Sequence, residues 1–218
     1  MKKSVVSLVV LLLISASASA VVICNPDQDP APFRGGVNTT LQSWLFSTNA
    51  NPAFPDALSN PYGMPQVDLK GSFLNNTIWL DEDNGHQGVW VVDRSIESDM
   101  VATVKNFPRQ NPYKQIWLQI TYSAQNGEAP AIYVVPDGNI SAYAPMTLVS
   151  KNAVDNTYYH AVYSLTVRPN PNFEQIFIRP RDCQVYVDCL TIETQCIPEP
   201  MTMGLLGLGS LLLRRRIA

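Results

Sequence analysis

The chain has 218 residues, with 15 Lys and Arg against 18 Asp and Glu, a net charge of −3. Its basic residues are scattered until the final few positions, which excludes the basic stripe that a nucleic-acid surface needs. Hydrophobic residues make up 46% and charged residues only 15%, enough apolar mass for the core of one domain with polar, hydrogen-bonding loops.

The first twenty residues, MKKSVVSLVVLLLISASASA, have the layout of a secretory signal. Lys2 and Lys3 form a positive start, Val5 to Ile14 an apolar stretch, and Ala18 and Ala20 the small residues at the −3 and −1 cleavage positions. The run is too short for a transmembrane anchor, and Ile23 before Cys24 is too bulky for lipoprotein processing. The expected organisation is therefore a signal peptide over 1–20, a body over 21–196 and a distinct tail over 197–218.

Along the body, residues 24–63 are dense in Pro, Asn and Gly and read as loops around one strand near Thr40 to Ser47. Strands follow at Gly88–Arg94, Met100–Phe107, Gln115–Ala124 and Ala131–Asp137. In the third of these, Ile116, Leu118, Ile120 and Tyr122 alternate with Trp117, Gln119 and Thr121. The clearest alternation is in YYHAVYSLTVRP, where Tyr159, Ala161, Tyr163, Leu165 and Val167 share one face. His160, Ser164, Thr166 and Arg168 share the other, which puts His160 outward or at an edge. FEQIFIRP and QVYVDCLTIET complete the series. Short strands with turn residues between them predict an all-β, antiparallel β-sandwich. The first choice is a jelly-roll-like arrangement, in which the first and last strands meet.

Four cysteines, Cys24, Cys183, Cys189 and Cys196, lie outside the signal. In an exported chain an even count predicts disulfides; zinc is the alternative, although the spacings lack a CxxC knuckle. If the termini meet, Cys24 bridges Cys196 and closes nearly the whole domain. Cys183 and Cys189 then remain, and they pair only if the chain folds back around Gln184 to Asp188. Six residues of straight strand would hold them about 20 Å apart.

There is no GxSxG, HExxH or phosphate-binding glycine loop, and nothing local to His86 or His160 suggests a nucleophile. Asp81, Glu82, Asp83 and Asn84 crowd oxygen ligands beside Gly85, a weak calcium candidate whose plainer reading is an acidic turn. Trp44, Trp79, Trp90 and Trp117, with Tyr113, Tyr122 and Tyr143, are candidates for stacking on sugar rings, although sandwich cores also consume such residues.

The tail carries Pro198-Glu199-Pro200, a thirteen-residue apolar run from Met201 to Leu213, and Arg214-Arg215-Arg216. A helix of that length spans only about 20 Å, short for a membrane crossing, but arginines at its end snorkel and stay cytoplasmic. This tripartite segment resembles the PEP-CTERM sorting domain. The resemblance implies a short C-terminal transmembrane helix, transient anchoring in the inner membrane and cleavage near Pro198–Pro200 by an exosortase-type membrane protease. Transfer to the cell surface or extracellular matrix of a bacterium making exopolysaccharide would follow. The segments FRGGVNTTLQSWLF, NPYG, GHQGVW, NPYKQIWLQITY and YHAVYSLTVRPNPNFEQIFI are also similar to recurring exported proteins of this kind, a likeness that brings no catalytic residue with it. The expected function is a non-enzymatic surface protein. The alternatives are a carbohydrate-binding module acting on exopolysaccharide, with or without calcium, and a secreted hydrolase.

Pro198 and Pro200 lack an N–H and resist helix, so they keep Glu199 extended for a protease to grip. Changing Pro198-Glu199-Pro200 to alanines should leave the chain unprocessed and tethered, and deleting Arg214–Arg216 should impair its retention. Intact-mass measurement from the native host checks this; a mature chain still ending at Ala218 beside an active exosortase would defeat it.

Overall fold

Period-2 alternation in short runs, each cut by Pro, Gly or Asn, leaves the backbone no way to bury its apolar side chains except as paired strands. In the computed structural model, which describes residues 25, 27–70, 78–96, 98–107 and 111–197, these runs form an antiparallel, all-β sandwich. In chain order the strands are β1 (Thr39–Trp44), β2 (Ala57–Ser59), β3 (Gln66–Lys70), β4 (Ile78–Asp83) and β5 (His86–Asp93). Then come β6 (Asp99–Lys105), β7 (Tyr113–Ala124), β8 (Ala131–Pro136) and β9 (Ala144–Pro145). The last are β10 (Thr147–Ala153), β11 (Tyr158–Val167), β12 (Phe173–Arg179) and β13 (Gln184–Ile197). Each expected strand is present, and β2, β3, β4, β9 and β10 are added to them. Those five are short or polar and exist because a neighbour supplies their hydrogen bonds.

The larger sheet runs β10-β11-β7-β13-β1-β2, with the β4–β5 hairpin attached through β5, and the smaller runs β3-β6-β12-β8-β9. The first and last described strands, β1 and β13, do pair. Between the sheets Ile116, Leu118 and Ile120 of β7 and Ala161 and Tyr163 of β11 meet Met100, Ala102, Ile176 and Ile178 of the small sheet. Each fully buried aliphatic side chain contributes about 1.5–3 kcal/mol. Trp44, Trp90 and Tyr122 are consumed in this core.

β13 carries the topology. One edge pairs with β7 from Val185↔Ala124 to Ile197↔Tyr113. Its other edge is shared, with Gln184–Val187 against β5 and Leu190–Gln195 against β1. The register with β7 slips between Val187 and Cys189, leaving Asp188 as an inserted residue. Val185 and Val187 face the core before the slip, and Leu190 and Ile192 after it. Without the insertion one of these pairs would turn outward. Where β5 passes the end of β1, Gly88 sits at φ +75°, and a Cβ there would lie 2.2 Å from the Phe46 carbonyl oxygen. Only glycine fits.

The continuous β13 also corrects the disulfide expectation. Cys183 is exposed, Cys196 is buried, and both are free thiols, so neither Cys24–Cys196 nor Cys183–Cys189 forms. The chain does not fold back around Gln184 to Asp188. It runs straight, keeping Cys183 about 20 Å from Cys189 and about 40 Å from Cys196. Cys189 is disulfide-bonded, and Cys24 lies outside the described residues. So do the expected signal segment with Ala18 and Ala20, Pro198–Pro200, the apolar run and Arg214–Arg216. Among the described residues no helix is long and apolar enough to cross a membrane.

At one end of the sandwich a wholly buried ion pair joins the sheets: Lys114 Nζ of β7 donates to Glu174 Oε1 of β12 at 2.6 Å. Asn106 Nδ2 donates to the other oxygen of Glu174 and to the Pro171 carbonyl. Removing one member of such a pair strands a buried charge. Lys114→Met should therefore cost about 3–5 kcal/mol in urea unfolding, and Lys114→Met with Glu174→Met should recover most of it.

Candidate functional site: a neutral cleft beside a buried histidine

The β4–β5 hairpin turns through Asn84 and Gly85, at φ 51° and 89°, the left-handed pair that a two-residue hairpin requires. Immediately after it, His86 is fully buried on the outer side of the large sheet. Its Nδ1 lies 2.9 Å from Asp188 Oδ2 and its Nε2 3.0 Å from Asp155 Oδ2. Its ring stacks on Tyr158 with centroids 3.7 Å apart. The Tyr158 hydroxyl donates to Asp83 Oδ2 at 2.8 Å. Both ring nitrogens of His86 are thus engaged by carboxylate oxygens. Burial pushes the Asp188 carboxyl up; His86 draws it part of the way back, and Asp155 adds to the rise. Burial also pushes Asp155 upward, but the backbone N–H groups of Tyr158 and Thr157, with His86, outweigh it and hold this carboxyl below its ordinary range. Burial together with Asp83 raises the Tyr158 phenol, so it remains a donor.

This cluster sets one wall of a cleft. Asp155 Oδ1 accepts from the Thr157 and Tyr158 N–H groups at 2.6 and 2.7 Å, an Asx turn that shapes the β10–β11 connection. Asn156 and Thr157 on that turn line a cleft of about 700 Å³ at the ends of β7, β11 and β13. Tyr159, Tyr186, Ser123 and Gln184 supply more of the lining, with Gln125 and Asn126 from the turn after β7. Gly127 closes that turn at φ +63°, where a Cβ would meet the Tyr159 hydroxyl at 2.8 Å. The Lys151 ammonium lies 4.9 Å from the Tyr159 ring centroid and donates to the Gly127 carbonyl. The lining side chains themselves are all uncharged: two phenol rings, four amides and two hydroxyls among them. A larger groove, about 1010 Å³, is charged instead, but Asp99 is engaged by Arg179 and Glu128 by Arg181.

The residues singled out in the sequence are mostly elsewhere. Asp81 and Glu82 are exposed on β4 and point to opposite faces of the strand, and Asp83 is taken by Tyr158 and Asn84. Among the described residues no group of three or more His, Cys, Asp or Glu is placed to hold a metal ion. Of the expected stacking aromatics, Trp79 and Trp117 are half-buried, with their indole N–H groups on the Phe46 and Asp29 carbonyls. Tyr143 is exposed, and Tyr113 lies under the Arg168 guanidinium. His160, expected outward or at an edge, is 1% exposed. It does face outward, but the segment before β1 covers it, with Asp29 Oδ2 3.3 Å from its Nε2. Burial lowers its basicity and Asp29 partly restores it.

No family model and no curated protein matches the chain. Similar solved structures include Xyl-CBM35 in complex with a glucuronic acid-containing disaccharide, 13% identical at TM-score 0.32 over 69% of this chain and 91% of that one. A CBM35 from Cellvibrio japonicus Abf62 is also 13% identical, at TM-score 0.31 over 71% and 91%. The enzymatically active domain of bacteriophage CBA120 tailspike protein 4 is 10% identical at TM-score 0.24, over 71% and 19%. Likeness at this level carries nothing about the cleft or its ligand.

Because the folded Asp155 carboxyl lies below its unfolded value, its stabilising bonds are complete above the ordinary aspartate range and are lost as pH falls through the folded value. Hydrogen-exchange protection at Thr157 and Tyr158 should drop in that acid window. In Asp155→Asn, which still accepts but does not titrate, the acid step should vanish.

Proposed function

We propose that the chain is an exported, non-catalytic carbohydrate-binding protein with a jelly-roll-like body, whose cleft at the ends of β7, β11 and β13, lined by Tyr159 and Tyr186, takes a neutral segment of a polysaccharide such as the exopolysaccharide around the cell. The observation that carries this reading is the uncharged lining. A sugar ring offers a flat face of C–H groups and a rim of hydroxyls, and phenol rings with amides and hydroxyls complement both. The two charged groups that touch the lining, Lys151 at Tyr159 and Gly127 and Asp182 at Asn126, are of opposite sign, which suits a neutral polymer rather than an acidic one. The lining also supplies no acid–base pair for glycoside hydrolysis.

The terminal segments support the rest of the proposal. The signal-like start and the Pro198-Glu199-Pro200 tail bring the body through the inner membrane, hand it to an exosortase-type protease and release it to the cell surface or matrix.

Isothermal titration of the purified protein should show saturable binding of neutral oligosaccharides and no preference for uronate-bearing ones. Tyr186→Ala and Asn156→Ala should each weaken binding about tenfold, near 1.4 kcal/mol, with little change in Tm. Tight binding of polyuronates alone would sink the reading.

A further inference from the structure

A second uncharged groove lies at the other end of β7 and β11. These strands pair Gln115 with Thr166 and Trp117 with Ser164 on the outer face of the large sheet. Over them passes the segment before β1, fastened by Ala31 N–H to Glu193 Oε2 at 2.7 Å and by the Arg34–Glu193 ion pair. Trp117 Nε1 donates to the Asp29 carbonyl at 2.9 Å, which fixes the plane of the indole. Between this segment and β11 opens a groove of about 400 Å³ walled by Phe33 and Trp117, with Gln115, Ser164 and Thr166 on its floor and rim. The side chains of Gln115, Ser164 and Thr166 make no hydrogen bond among the described residues, so their donors and acceptors are unclaimed. The indole, already held in one orientation, loses little freedom when a ring stacks on it.

We propose that this groove is a second carbohydrate subsite for the same class of neutral glycan, with Trp117 and Phe33 as the stacking surface and Gln115, Ser164 and Thr166 as the hydroxyl partners. The inference rests on the reading of the Tyr159–Tyr186 cleft as a carbohydrate site. Trp117 and Ser123 are six residues apart on β7, which separates the two sites by about 20 Å. A polymer that reaches both binds bivalently, and its second contact forms at a raised effective concentration.

Titration with a short neutral oligosaccharide counts the sites. The protein should bind two molecules per chain, and Trp117→Ala and Tyr186→Ala should each leave one site at its original affinity and weaken the other about tenfold. Thr166→Arg changes an exposed residue and fills the groove without touching the indole anchor, so it should also leave one site even if Trp117→Ala disturbs the covering segment. With a long neutral polysaccharide either groove variant should lose at least tenfold in apparent affinity. One site in the unaltered protein, weakened in Tyr186→Ala and untouched by Trp117→Ala and Thr166→Arg, would overturn the second subsite and leave the cleft reading intact. Binding of no neutral oligosaccharide at all would overturn both.

Discussion

β13 is paired along both edges, and its inserted residue, Asp188, meets two demands that a regular strand cannot. The first is phase: Val187 and Leu190 are three positions apart, an odd step, yet both face the core, so the pleat must slip once between them. The second is branching: β5 takes the edge up to Val187 and β1 takes it from Leu190. The slip falls at that junction. There two strands approach one edge, and Gly88 passes the Phe46 carbonyl where any side chain would collide.

The same insertion sends a carboxylate to the outer side of the sheet, and His86 answers it. A carboxylate buried there without a partner would be costly, so the imidazole is as much a condition of the branch as a consequence. His86 in turn holds Asp155, and Asp155 holds the N–H groups that shape the β10–β11 turn. The path from backbone register to cleft wall is thus four groups long, and each link is a hydrogen bond between charged or polar partners.

Outside the core, the large sheet's outer face is polar yet largely buried. Gln119, Thr121, His160, Thr191 and Glu193 would be solvated in an ordinary open sheet; here the segment before β1 lies across the sheet and bonds to Gln119 and Glu193. Both neutral grooves flank that cover, one at each end of β7. The scaffold beneath them is rigid paired strand, whereas the walls come from turns and from the covering segment, the usual division between support and recognition.

Alternation in the sequence determines which runs become strands and which side chains of β7, β11 and β12 enter the core, because period 2 is a local property of the pleat. It also carries a trace of the insertion, since Val185 and Val187 are out of step with Leu190 and Ile192. The Asn84-Gly85 hairpin is legible for the same local reason. The partners of the polar groups are not. His86 lies 102 positions from Asp188 and 69 from Asp155, and His160 is covered only because a distant loop lies over an outward-facing position. The fate of the cysteines is likewise decided by whether β13 runs straight, a matter of its pairing with β7. Aromatic residues, too, declare only that they prefer contact; the tertiary structure decided that Trp44 and Trp90 pack inside while Tyr159, Tyr186 and Trp117 border the clefts. Hydrophobic burial follows a repeating local pattern, whereas a hydrogen bond between two side chains depends on register across the whole sheet, and that register exists only once the strands have paired.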